Sequence, residues 1–111
     1  MGKIIRDTLF IVPKPANQDK LLDAYKELEK NQAKDGKPYI LHIHATRLLN
    51  DERSLGHTVK ATMTFANHED MVYYDKECPA HAALKHLALD IIEARPIVLN
   101  AEVTSQIFPN Y

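Results

Sequence analysis

Residues 57–81 read HTVKATMTFANHEDMVYYDKECPAH, and this stretch decides the fold. Its first nine residues alternate between apolar and polar side chains, which is the two-residue period of a strand with one buried face. Asn67 follows, with two acidic residues soon after it, a pattern typical of a helix N-terminus. The stretch therefore predicts a strand over 57–65 that ends in Thr-Phe, followed by a short helix capped by Asn67.

The remaining elements follow from similar patterns on both sides of this stretch. Pro79 suits the first turn of a further helix, which we expect over 79–94, before Pro96. The rest of the chain predicts an amphipathic helix over 17–35, capped by Asn17, and strands over 4–12, 39–49 and 97–108. The order β-α-β-β-α-β is the ferredoxin-like α+β arrangement, so we expect one such domain over residues 1–111.

This fold predicts a partner. Both helical regions cover one face of the four-stranded sheet and leave the other face open. The alternating strands carry apolar residues toward that open face too, and an exposed apolar surface of this size marks an interaction site. A second copy of the chain is the simplest occupant. We therefore expect a homodimer whose two sheets enclose a dimeric α+β barrel.

Composition narrows the class of protein further. The 111 residues are 45% apolar and 26% charged, with a formal net charge of −1 and both signs interspersed. A basic stripe, the usual mark of a nucleic-acid binder, is missing from this pattern. No apolar run approaches the ~20 residues that span a bilayer, so we expect no membrane partner. The single cysteine, Cys78, suits a reducing compartment and predicts a cytoplasmic protein.

Short motifs occur along nearly the whole chain. They are Leu9-Phe10, the turn Lys34-Asp35-Gly36-Lys37-Pro38, Gly56-His57-Thr58, Thr64-Phe65, Glu69-Asp70-Met71, Tyr73-Tyr74 and Pro79-Ala80-His81-Ala82. Together they resemble the stress-responsive A/B barrel family. This resemblance implies a homodimeric barrel of ferredoxin-like subunits, in a family many of whose members have no assigned activity.

The resemblance also implies a mechanism. A polyketide cyclase related to this family forms olivetolic acid by an intramolecular aldol closure, using a tyrosine and the histidine of a Pro-Ala-His sequence. These positions match Tyr74 and His81, which implies a donor and a base that need no cofactor. Family members often carry further histidines on the first and third strands, where this chain has Ile5-Arg6-Asp7 and Val59.

We expect an apolar cavity that opens from solvent onto Tyr74 and His81 and binds a small, polyketide-like molecule. Its expected substrate-binding residues are Leu9, Ile11, Met63 and Phe65. The same sequence also fits a noncatalytic, stress-associated stability protein, in which His81 is a core histidine beside a packing tyrosine. Fold analogy adds a third alternative, a cofactor-independent oxygenase of the related dimeric-barrel superfamily.

His42 and His44 share one face of the second strand, and such a pair can ligate a metal. A third ligand at a recognisable spacing is missing, so we expect no metal. Instead we expect these histidines to be polar residues that line the barrel or its rim. If they face the barrel lumen, they bind substrate oxygens as a second part of the substrate site. Cys78 precedes a helix N-terminus that would stabilise a thiolate, although a lone cysteine is more often a small buried hydrophobe.

Overall fold

The computed structural model describes residues 2–103, which form a four-stranded antiparallel sheet and three α-helices. The elements are β1 (Ile4–Phe10), α1 (Pro15–Asn31), β2 (Ile40–Arg47), β3 (Val59–Phe65), α2 (His68–Lys76), α3 (Pro79–Leu89) and β4 (Ile97–Glu102). The sheet order is β2-β3-β1-β4, which confirms the ferredoxin-like α+β fold. None of the helices within the described part of the chain is long and apolar enough to cross a membrane.

Strand register divides the sheet into a helix-covered face and an open face. The predicted inward set of β3 is confirmed, because its members are all 2% exposed or less: Val59, Ala61, Met63 and Phe65. Antiparallel partners share a face, so Arg6, which pairs with Met63, and Thr8 point toward the helices. Leu9 pairs with Lys60 and lies on the open face. The inward face of β1 is thus partly polar.

The two helix starts differ in how they are capped. Asn67 caps α2 as predicted, since its side-chain oxygen accepts a hydrogen bond of 2.8 Å from the Asp70 backbone N–H. The predicted cap at Asn17 is wrong. Helix α1 begins at Pro15 and its N-cap is Lys14, without a side-chain hydrogen bond. The fixed φ of proline favours the first helical position, so Asn17 lies inside the first turn.

Several element ends differ from their predicted positions, and strands β1 and β2 each end two residues early, at Phe10 and Arg47. Helix α1 stops at Asn31, and a tight turn follows in which Asp35 and Gly36 take positive φ angles of 54° and 77°. Helix α3 stops at Leu89, not 94, and the turn after it lets the Glu93 backbone N–H donate to the Ile11 carbonyl. Strand β4 is described to Glu102, and residues 104–108 of its predicted range lie outside the described residues.

Candidate active site

A cavity of about 630 Å³ lies between α3 and the β1–β4 side of the sheet. Every residue of β4 is exposed, so the helices leave the space above this edge strand open. The wall is mostly apolar and includes Phe10, Leu84 and Ile92. Its polar contributors converge from β1 and all three helices: Arg6, Thr8, Tyr25, Tyr74, Asp75, His81 and Lys85.

Tyr74 and His81 meet on this wall. Tyr74 lies in α2 and His81 in the first turn of α3, and the break before Pro79 lets the two rings stack with centroids 3.7 Å apart and 11° between planes. The His81 Nδ1 atom lies 2.8 Å from the Tyr74 backbone carbonyl oxygen. Because a carbonyl oxygen only accepts, Nδ1 must carry the proton in this bond. The lone pair of neutral His81 is therefore on Nε2.

Burial sets the protonation states of this pair. It lowers the pKa of His81 below its ordinary value, and this effect outweighs the hydrogen bond to the Tyr74 carbonyl, which raises the pKa. Burial also raises the pKa of the Tyr74 phenol well above its ordinary value. At neutral pH the site thus holds a neutral imidazole beside a protonated phenol. One group can accept a proton and the other can donate a hydrogen bond.

An ion pair lies next to the stacked rings. The Arg6 guanidinium donates to both carboxylate oxygens of Asp75 at 2.6 and 2.8 Å, and its Nε donates to the Asn100 side-chain oxygen at 2.8 Å. The carbon between its nitrogens, Cζ, lies 5.7 Å from the Tyr74 ring centroid. The hydrogen bond from Arg6 lowers the pKa of Asp75. A positive charge held by hydrogen bonds therefore lies within the mostly apolar wall.

The sequence had not indicated Arg6, Thr8 or Tyr25 as cavity residues. Tyr25 belongs to the apolar stripe of α1 and is 4% exposed, so its periodicity marks it only as core. Arg6 and Thr8 interrupt an apolar strand. Their pairing with the inward residues of β3 places them on the inward face. This pairing can be recognised only when the alignment of the two strands is known.

The expected substrate-binding residues on the strands lie elsewhere. Met63 and Phe65 are buried in the core, where the centroids of the Phe65 and Tyr74 rings lie 5.3 Å apart. Leu9 lies on the open face, and half-buried Ile11 follows the end of β1. None of the four belongs to the cavity wall. The expected lining is corrected to Arg6, Thr8 and Phe10 on β1, because the even-numbered residues of that strand face the helices.

His42 and His44 lie on the open face of β2, away from the cavity. Both are exposed, and Nδ1 of His44 is 3.5 Å from Nε2 of His42. Within residues 2–103 no group of three His, Cys, Asp or Glu side chains is placed to hold a metal ion. A substrate-binding role for these histidines stays a prediction that depends on what covers the open face.

Cys78 is 3% exposed, which agrees with the interpretation of this lone cysteine as a small buried hydrophobe.

Comparison with known families agrees with this fold. The Stress Responsive A/B Barrel Domain model matches residues 4–99, so the chain belongs to that family. A Fusaristatin A biosynthesis cluster protein from Gibberella zeae is 34% identical over 89 residues. The match covers 80% of this chain and 64% of that protein, so the chain spans less than two thirds of its relative's length.

Solved structures with the same fold are more distant in sequence. A dimeric ferredoxin-like protein of unknown function from Jannaschia sp. CCS1 superimposes with a TM-score of 0.76 and 13% identity, over 92% of this chain and 100% of that one. SnoaB, a cofactor-independent oxygenase from Streptomyces nogalater, gives a TM-score of 0.71 and 10% identity, over 99% and 100%. Both likenesses concern the fold alone.

Proposed function

We propose that this protein is a homodimeric, cofactor-free enzyme that binds a small, largely apolar molecule in the cavity and cyclises it by a polyketide-like intramolecular aldol reaction. The observation that carries the proposal is the pair on the cavity wall. In neutral His81, Nδ1 donates a hydrogen bond to the Tyr74 carbonyl oxygen. The Nε2 lone pair can therefore act as a base beside the Tyr74 phenol.

The proposed reaction is a proton transfer followed by carbon–carbon bond formation. His81 Nε2 accepts the acidic proton from a carbon between two carbonyl groups of the bound chain. The enolate carbon then attacks a distant carbonyl of the same molecule, and the Tyr74 hydroxyl donates a hydrogen bond to the oxygen on which negative charge develops. The proton held by His81 returns to the new alkoxide, so the imidazole ends the cycle neutral.

The dimer is part of the same proposal. Ile97 and Leu99 of β4 are 41% and 56% exposed, which is unusual for large apolar side chains on a sheet. A second copy would cover this open face, and the Jannaschia structure of the same fold is described as dimeric. Within the dimer, His42 and His44 would face the space between the sheets. The buried cysteine fits the cytoplasmic compartment that we expect.

A noncatalytic stability protein is the main alternative. It would need a filled space around His81, whereas a cavity of about 630 Å³ adjoins the ring, so ligand binding is the better supported role. The likeness to SnoaB raises the cofactor-independent oxygenase as a second chemistry on this fold. Consumption of dioxygen with a bound aromatic substrate would distinguish that chemistry from aldol closure, which consumes none.

The experiment is a cyclisation assay with synthetic linear poly-β-keto acids, in which cyclic product is measured by mass spectrometry. His81→Ala should lower the rate about 100-fold or more, since positioned acid–base groups contribute ~10²–10⁴. Tyr74→Phe should also lower it. Tyr73→Phe is the matched control, because the Tyr73 hydroxyl donates to the Ala33 carbonyl at 2.9 Å and is absent from the cavity wall.

The outcomes separate the alternatives. Full activity in His81→Ala would refute the base role. Ligand binding without turnover in the wild type would leave a binding protein. Absence of ligand binding, combined with a loss of several kcal/mol of unfolding free energy in His81→Ala, would favour the stability protein.

A further inference from the structure

The position of Arg6 sets this cavity apart from a purely apolar one. Its side chain is 8% exposed, yet Arg6 contributes to the cavity wall. Taking a guanidinium out of water is costly, and an ion pair with a partner as exposed as Asp75 returns little stabilisation for that cost. The Arg6–Asp75 pair is therefore poorly explained by stability alone.

The hydrogen bonds of Arg6 fix its orientation and leave donors unused by these partners. Asn100 accepts from Nε, and Asp75 accepts one hydrogen bond from each terminal nitrogen. Each terminal nitrogen carries a second N–H that the bond to Asp75 does not use. The guanidinium is thus held in place by two side chains while part of its donor capacity stays available.

Asp75 is a partner that a ligand can replace. Its side chain is 40% exposed and belongs to the cavity wall, so water can solvate the carboxylate when it separates from Arg6. A carboxylate is the shape that a guanidinium fork binds with two parallel hydrogen bonds. A ligand carboxylate could use the free N–H groups or take the place of Asp75.

We propose that Arg6 makes the cavity selective for molecules that carry a carboxylate, so that the substrate enters as a free β-keto acid and not as a neutral ester or thioester. This inference rests on the proposed function of the cavity and adds its substrate class. Arg6 acts as the specificity residue, whereas His81 and Tyr74 lie at the reacting atoms.

The test compares two probes of matched length, octanoate and 1-octanol, whose binding to the full chain is measured by calorimetry at pH 7.5. Octanoate should bind about ten-fold or more tightly than 1-octanol, because a hydrogen bond to a charged group contributes more than a neutral one. Asp75→Asn should tighten octanoate binding several-fold and leave 1-octanol unchanged, since the competing negative charge is removed while the side-chain size is kept.

A double variant and a control variant identify the source of the preference. Arg6→Met combined with Asp75→Leu removes both charges, leaves neither unpaired, and should abolish the preference while 1-octanol still binds. Lys85→Gln removes the other cation on the cavity wall, which is exposed, and should retain the preference. Circular dichroism confirms that each variant is folded before binding is compared.

Four results would overturn the inference. Equal affinities for the two probes in the wild type would do so while leaving cavity binding intact. A preference that survives the double variant, or one that is lost in Lys85→Gln, would move the source away from Arg6. Failure of both probes to bind would overturn the proposed cavity function and this inference with it.

Discussion

At the residue scale, His81 is buried where a proton on its ring is poorly solvated, and this has a consequence for stability. The pKa of native His81 is lowered, chiefly by burial, whereas in the unfolded chain it returns to about 6.5. The unfolded state therefore binds more protons between these two pKa values. The free energy of unfolding should stay level above pH 6.5, as far as His81 is concerned, and fall as the pH drops below it.

Urea unfolding of the wild type and His81→Gln between pH 8 and pH 5 measures this effect. The glutamine does not titrate, so the variant should lose less stability on acidification than the wild type does. Parallel losses in the two proteins would mean that other groups account for the acid sensitivity. Folding in the variant must be two-state for the comparison to hold.

Some of the individual site residues could be predicted from the sequence, and others could not. Tyr74 and His81 could be predicted because they lie in motifs that resemble those of a known family. Arg6 and Thr8 were missed because a polar residue in a strand is normally expected to face solvent. Only the pairing of β1 with β3 shows that these two face the helices, and strand pairing is set by contacts distant in sequence.

At the element scale, α2 determines where Tyr74 lies, and its N-cap is a single hydrogen bond. Asn67→Ala removes the acceptor for the Asp70 N–H and should lower the free energy of unfolding by about 1 kcal/mol. Asn17→Ala is the matched control, because Asn17 lies within the first turn of α1 and caps nothing. Alanine is the better helix former there, so this variant should be neutral or slightly stabilising.

Thermal and urea unfolding of the two variants check the contrast. Equal destabilisation would indicate that Asn17 contributes to the start of α1 after all. The comparison also shows why one cap was predictable and the other was not. Asn67 is followed by acidic residues and no competing signal, whereas Asn17 comes two residues after Pro15, and proline fixes the start of the helix earlier.

At the scale of the whole molecule, the element order predicted the topology because each strand and helix has a clear period and short connections. The cavity could not be predicted in the same way. It exists because helix α3 ends at Leu89 and β4 remains uncovered at the sheet edge. Neither the end of α3 nor the space above β4 is encoded in a local pattern, since both depend on how the layers pack.

The open face of the sheet provides the test of the proposed dimer. Leu99 pairs with Asp7 on this face and is 56% exposed, so a partner sheet would bury it. Leu99→Arg should convert the dimer to a monomer, because the guanidinium would lose water on association without a matched partner. Leu49→Arg is the control, since Leu49 is 82% exposed in the loop after β2 and lies off the sheet. Light scattering after gel filtration measures the mass of each protein. We expect twice the chain mass for the wild type and Leu49→Arg, and a wild-type protein of single-chain mass would refute the dimer.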